Sequence, residues 1–136
     1  MNFQPQGIDH VVLRVSDMNR AVQFYCDVLG CTEERRVGNL GLVQLRAGRS
    51  LVDLLDVEGE LGRKGGSPPG VQGRNMDHLC LRVDPFDEAA IRAQLSRHGV
   101  EAGPTETRYG AEGSGPSIYV QDPDGNVVEL KGPADP

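Results

Sequence analysis

The run GIDHVVLRV at residues 7–15 returns as NMDHLCLRV at residues 75–83, with Asp, His, Leu, Arg and Val at five matching places. His10 and His78 stand 68 residues apart in a chain of 136 residues. Self-similarity at half the chain length restricts the fold to two copies of one supersecondary unit.

The patterns that follow each copy extend the repeat. In the first half Ser16 or Asp17 can cap a helix on which Met18, Ala21, Phe24, Tyr25, Val28 and Leu29 recur at helical spacing, and Gly30 is placed to end it. In the second half Asp84 and Pro85 precede a helix carrying Phe86, Ala90, Ile91 and Leu95, closed by Gly99. Strand-like runs come next: CTEERRV, GLVQLRA and SLVDLLDV in the first half, then residues 100–109, SIYVQ and NVVELK in the second. Each half therefore reads β-α-β-β-β. The DPDG at Asp122 to Gly125 predicts a hairpin between the last two strands, because Pro123 presets the second turn position and Gly125 tolerates the exit. The expected organisation is one domain with module 1 at about 7–57, a linker or mobile loop rich in Gly, Pro and charge at about 58–74, and module 2 at about 75–132.

Composition narrows the function. A net charge of −6 opposes nonspecific nucleic-acid binding, which needs a basic face to replace phosphate counterions. No apolar run approaches the length of a membrane span, and the N-terminal MNFQPQG lacks a basic start and an apolar segment, so a cytoplasmic protein is expected. Three cysteines without a C-x-x-C pair read as reduced, buried thiols. Small-molecule chemistry is what remains.

Strand parity then sorts the side chains. Val11, Leu13 and Val15, like Leu79, Leu81 and Val83, form apolar rows expected to pack under the helices. His10 and His78 belong to the opposite rows. If the halves pair about a pseudo-twofold axis, both imidazoles look into a shared concavity. Aligning LVDLL with VVELK brings Asp53 into register with Glu129, so each half offers one imidazole and one carboxylate. A carboxylate inside an apolar strand is costly unless it is paired or bound to a cation. Two nitrogen and two oxygen donors suit one divalent ion of Ni, Co, Zn, Mn or Fe with room left for substrate. Arg14 and Arg82 share this parity but stand at strand ends, where a solvated guanidinium is the ordinary expectation. His98, in the last turn of its helix, suits the carbonyl end and is assigned no chemistry. Cys80 is expected to be an inert small side chain.

IDHVVLRVSD, AVQFYCDVLG, MDHLCLRV and SIYVQDPDGNVVEL resemble the glyoxalase I, bleomycin-resistance and extradiol-dioxygenase superfamily, the vicinal oxygen chelate proteins, over nearly the whole chain. The resemblance implies an α+β fold of two βαβββ modules forming a curved mixed sheet around a metal-binding cleft. It places ligands on the first, fourth, fifth and eighth strands, here His10, Asp53, His78 and Glu129. Asp53 is one methylene shorter than the glutamate usual at that position in glyoxalase I, and the fosfomycin-resistance thiol transferases manage with two histidines and one glutamate. The implied activity is that of a metal-dependent glyoxalase I-like lyase or isomerase, acting on a small oxygenated or thiol-conjugated carbonyl compound through a stabilised enediolate. Glu129 is the expected proton shuttle and Asp53 the second candidate. Arg108 and Tyr109, in the Gly-rich loop of the second half, are expected to contact substrate. The alternatives are a fosfomycin-type thiol transferase, an Fe(II) dioxygenase, and a non-catalytic drug-binding protein of the bleomycin-resistance kind. A homodimer is common in the family and is expected here.

Overall fold

The computed structural model describes residues 2–136, which divide into two compact units on either side of the Pro68–Pro69 junction. The division falls inside the segment expected to link the modules.

In the first unit β1 (His10–Val15) leads into α1 (Met18–Gln23), followed by β2 (Thr32–Val37), β3 (Leu42–Ala47) and β4 (Ser50–Asp56). The four strands form one sheet in the order β1-β4-β3-β2. β1 runs parallel to β4, the pairing a helical crossover permits, and the other neighbours are antiparallel. Asp17, rather than Ser16, caps α1: its backbone is extended and its side chain accepts a hydrogen bond from the Arg20 amide. The helix expected to continue to Leu29 instead widens at Phe24, where the Leu29 amide reaches back five residues to the Phe24 carbonyl. This wider turn carries Phe24, Tyr25 and Val28, all buried, and Gly30 leaves it with φ of 85°. Val43, Leu45, Val52 and Leu54 complete the core beneath, together with Leu13 and Val15.

The segment after β4 is tied rather than loose. The Arg14 guanidinium donates to the carbonyls of Gly62, Gly65, Gly66 and Ser67 at 2.7–3.2 Å. Four backbone acceptors replace the solvent expected around this arginine.

The second unit repeats the plan. β5 (His78–Arg82) leads through α2 (Glu88–Arg97) to β6 (Glu106–Gly110), β7 (Gly113–Gln121) and β8 (Val127–Lys131), with sheet order β5-β8-β7-β6 and β5 parallel to β8. Asp87 caps α2 by accepting from the Ala90 amide. Leu95 of α2, Ile118, Val120, Val128 and Leu130 are buried, whereas Leu79, Leu81 and Val83 are half-buried. The DPDG turn joins β7 to β8 as expected. Asp122 locks it by accepting from the amides of Asp124 and Asn126 and from the Asn126 side chain at 2.8–2.9 Å. Two four-stranded mixed sheets with few helices give the expected α+β fold.

Candidate functional site

Register places the paired side chains. In the first module His10 lies opposite Leu51 and Val12 opposite Asp53; in the second His78 lies opposite Val127 and Cys80 opposite Glu129. In both, the carboxylate faces the residue two positions beyond the histidine, and directly paired residues share a face. His10 and Asp53 therefore occupy one face of the first sheet, and His78 and Glu129 the same face of the second.

Each imidazole is held the same way. Asp9 Oδ1 lies 2.7 Å from His10 Nδ1, and Asp77 Oδ1 lies 2.6 Å from His78 Nδ1. With Nδ1 engaged by a carboxylate, Nε2 is the ring nitrogen presented outward, the arrangement that orients a metal-binding imidazole. The Asp9 hydrogen bond, reinforced by the nearby Asp53 charge, holds His10 above the ordinary imidazole pKa. A cation, proton or metal, is thus favoured at this ring.

The carboxylates are buried in mid-strand. Asp53 is only 4% exposed; Oδ2 accepts from the Gln44 side chain at 3.0 Å, while Oδ1 is buried with no hydrogen-bond partner. An orphaned carboxylate oxygen of this kind carries its full desolvation cost, which a cation would relieve. Asp53 neither caps a strand end nor pairs with an arginine. Glu129 is 5% exposed and better supported: Oε2 accepts from the Ser117 hydroxyl at 2.9 Å, and Oε1 lies 3.3 Å from His78 Nε2. Of the three cysteines expected to be buried only Cys31 is; Cys26 is half-buried and Cys80 exposed, yet partial desolvation and the neighbouring Glu129 push the Cys80 thiol up to about 11.

The second module surrounds this pair with Arg108, one of the expected substrate contacts, and with Ser117 and Tyr119, which the sequence did not single out. Tyr119, opposite Glu129 in register, meets the His78 ring edge-on with centroids 5.6 Å apart. The Arg108 guanidinium stacks 4.1 Å over the same Tyr119 ring and donates to the Ser117 carbonyl and hydroxyl at 3.0 Å. Asp77, His78, Glu129, Ser117 and Arg108 form one connected polar chain across the sheet. Ser117 and Tyr119 were visible in principle: they alternate with apolar Ile118 and Val120, and the DPDG hairpin folds them beside Glu129.

Arg108 and Tyr109 lie on β6, not in a mobile loop, because residues 106–110 pair antiparallel with β7. Strand alternation separates them. Arg108 is half-buried in the network beside Glu129, whereas Tyr109 is 83% exposed and takes no part in it. Arg82, at the end of β5, pairs with Glu112 and Asp84. His98 follows the last turn of α2 and is exposed.

Among the described residues no group of three or more His, Cys, Asp or Glu side chains stands ready to hold an ion. Within each module the donors are nevertheless of the kind a divalent metal takes: an imidazole clamped at Nδ1 and a buried carboxylate, orphaned at one oxygen in Asp53.

The sequence model of the Glyoxalase/Bleomycin resistance protein/Dioxygenase superfamily matches residues 7–130. The chain belongs to this superfamily. Members of the glyoxalase superfamily typically bind a divalent metal. The virulence protein STM3117 of Salmonella typhimurium is 33% identical over 124 residues, covering 90% of this chain and 81% of that protein. Its crystal structure superposes with a TM-score of 0.80 over 97% of this chain and all of the other. A lactoylglutathione lyase of Haemophilus influenzae is 30% identical over 129 residues, covering 89% of this chain and 88% of the enzyme. The superfamily fold also appears in an antibiotic-binding protein, TnmS3, from a Streptomyces species, at a TM-score of 0.71 and 25% identity over 98% of this chain and all of the other.

Proposed function

We propose that the protein is a metal-dependent lyase or isomerase of the glyoxalase I type, acting on a small oxygenated or thiol-conjugated carbonyl compound. The observation that carries this reading is the duplicated pair: an imidazole clamped at Nδ1 by the preceding aspartate, with a buried carboxylate on the adjacent parallel strand at the same register offset. His10, His78 and Glu129 are the proposed ligands, with Asp53 as the fourth donor. A divalent ion bound by them would polarise neighbouring oxygens of a substrate and lower the cost of removing a proton from the adjacent carbon.

The residues around Glu129 are arranged to handle that proton. Ser117 fixes Oε2, which leaves Oε1, on the His78 side, as the oxygen that takes a proton from substrate and returns it. Arg108 holds Ser117 from the far side and so positions Glu129 without touching it. Tyr119 and the half-buried Arg108 pack beside the pair along β7 and β6, on the side where Glu129 is buried.

Glu129→Gln, which keeps the shape and removes the base, should reduce turnover of a responsive substrate by at least about a hundredfold while leaving the melting temperature nearly unchanged. Undiminished turnover would remove Glu129 from the mechanism. Substrates are best screened against protein loaded in turn with Ni, Co, Zn, Mn and Fe. Protein that neither carries a metal after mild purification nor gains stability from any of these ions would instead favour a binding role, like that of the Streptomyces antibiotic-binding protein.

A further inference from the structure

Lys131 is the one buried cation of the second module that the proposed chemistry leaves unused. It is 4% exposed, and its ammonium makes a single hydrogen bond, to the Gly132 carbonyl at 3.4 Å. That length is at the outer limit of a hydrogen bond and leaves most of the donor capacity of the group unspent. Glu112 and Asp84 pair with Arg82 rather than with Lys131. A buried ammonium without a counter-charge is unfavourable, and it is retained where something else supplies the charge.

The fold does not ask for a lysine at this place. By register Lys131 corresponds to Leu55 of the first module: Arg14 lies opposite Leu55 and Arg82 opposite Lys131 in otherwise matching strand pairs. One copy of the module is therefore built with an apolar side chain where the other carries a charge. Lys131 also shares its sheet face with Glu129, two residues away on β8, and with Ser117, its partner on β7. Its stem is admitted by Gly110, where an added Cβ would stand 3.0 Å from both Lys131 Cδ and Cε. A glycine at that place keeps the lysine's path across the sheet clear.

We propose that Lys131 is the anion-binding residue of the second module, taking an oxyanion of the ligand, a carboxylate or a phosphonate or phosphate group, in exchange for its weak bond to Gly132. Arg82, opposite Lys131 in register, is already engaged by Glu112 and Asp84, so the cation left for a ligand at this position is Lys131. Combined with the reading that Glu129 and His78 act at the reacting carbon, on which only the substrate class rests, this selects oxygenated carbonyl compounds with an anionic group. That group lies about 7 Å along the strand from the Glu129 position, the rise of two residues.

The test uses the full chain in EDTA, so that no metal takes part, with inorganic phosphate and acetate as probes followed by calorimetric titration and thermal melting. Wild type should show saturable binding and stabilisation by at least one of the two, and the tighter one identifies the anionic group. Lys131→Met should melt higher than wild type without anion and bind the probe about tenfold more weakly or worse. Should that variant fold poorly, Lys131→Arg must keep the response and Lys131→Gln must lose it. Equal affinity in Lys131→Met or Lys131→Gln, or no saturable response in wild type, would overturn the assignment. Glu129→Gln separates the two readings: it should retain the anion response in EDTA, whatever becomes of its turnover.

Discussion

Asp53 shows most plainly what single residues in this protein are set up to do. Its Oδ1 is buried and unpartnered, a cost that serves no structural end in β4, where Val52 and Leu54 already fill the core side. Replacing Asp53 by leucine should therefore raise the unfolding free energy of the metal-free protein, by about 1–3 kcal/mol, in urea denaturation with EDTA present. The same variant should bind divalent ions more weakly. A loss of stability without metal would mean that the carboxylate is satisfied in the fold itself. His10 offers a second test. Because Asp9 and Asp53 raise its pKa, its charged form is favoured in the folded state. The stability this contributes is complete below the ordinary imidazole pKa and is lost as pH rises through the raised value. Metal needs the neutral ring, so ion affinity should fall on acidification from a higher pH than an unperturbed histidine would give. An NMR titration should find His10 above about 6.5, the free imidazole value, and Asp9→Asn should bring it down. An unchanged value in Asp9→Asn would discount the clamp.

At the scale of elements, the two helices show how the same plan is secured unequally. α1 is followed by a turn that buries Phe24, Tyr25 and Val28, whereas α2 buries only Leu95. With less packing to hold it, α2 depends more on its N-cap. Asp87→Ala should cost about 1–2 kcal/mol, at the upper end for caps, and Asp17→Ala less, by chemical denaturation of the full chain. Equal losses would show that packing does not compensate at α1. The elements also mark what could be read in the sequence. Period-two alternation in HVVLRV and HLCLR fixed which face each histidine takes, and the DPDG turn placed Glu129 beside β7. The contacts that tie residues 62–67 to Arg14 were not legible, because the four carbonyls come from residues about fifty positions away, beyond any local pattern. Ser117, Tyr119 and Lys131 passed unmarked for a different reason: serine, tyrosine and lysine are ordinary strand residues, and it takes the β7–β8 pairing that the DPDG turn implies to set them beside a buried glutamate. The widened turn after Gln23 also escaped, since its apolar spacing is nearly that of a regular helix.

At the scale of the molecule, the repeat supplies one imidazole and one carboxylate per module, and the proposed metal chemistry would need donors from two such modules, of one chain or of two chains exchanging halves. A homodimer is the proposed state, to be checked by sedimentation at several concentrations. No helix is long and apolar enough to cross a membrane. The most direct test of the proposed metal centre is anomalous diffraction from crystals grown with an excess of Ni, Co or Zn. The expected result is one peak about 2.0–2.2 Å from Nε2 of both His10 and His78, with a Glu129 oxygen at similar range. Imidazoles that turn away from each other, with no ion at either and Glu129 remote from both, would contradict the metal centre and leave only the fold.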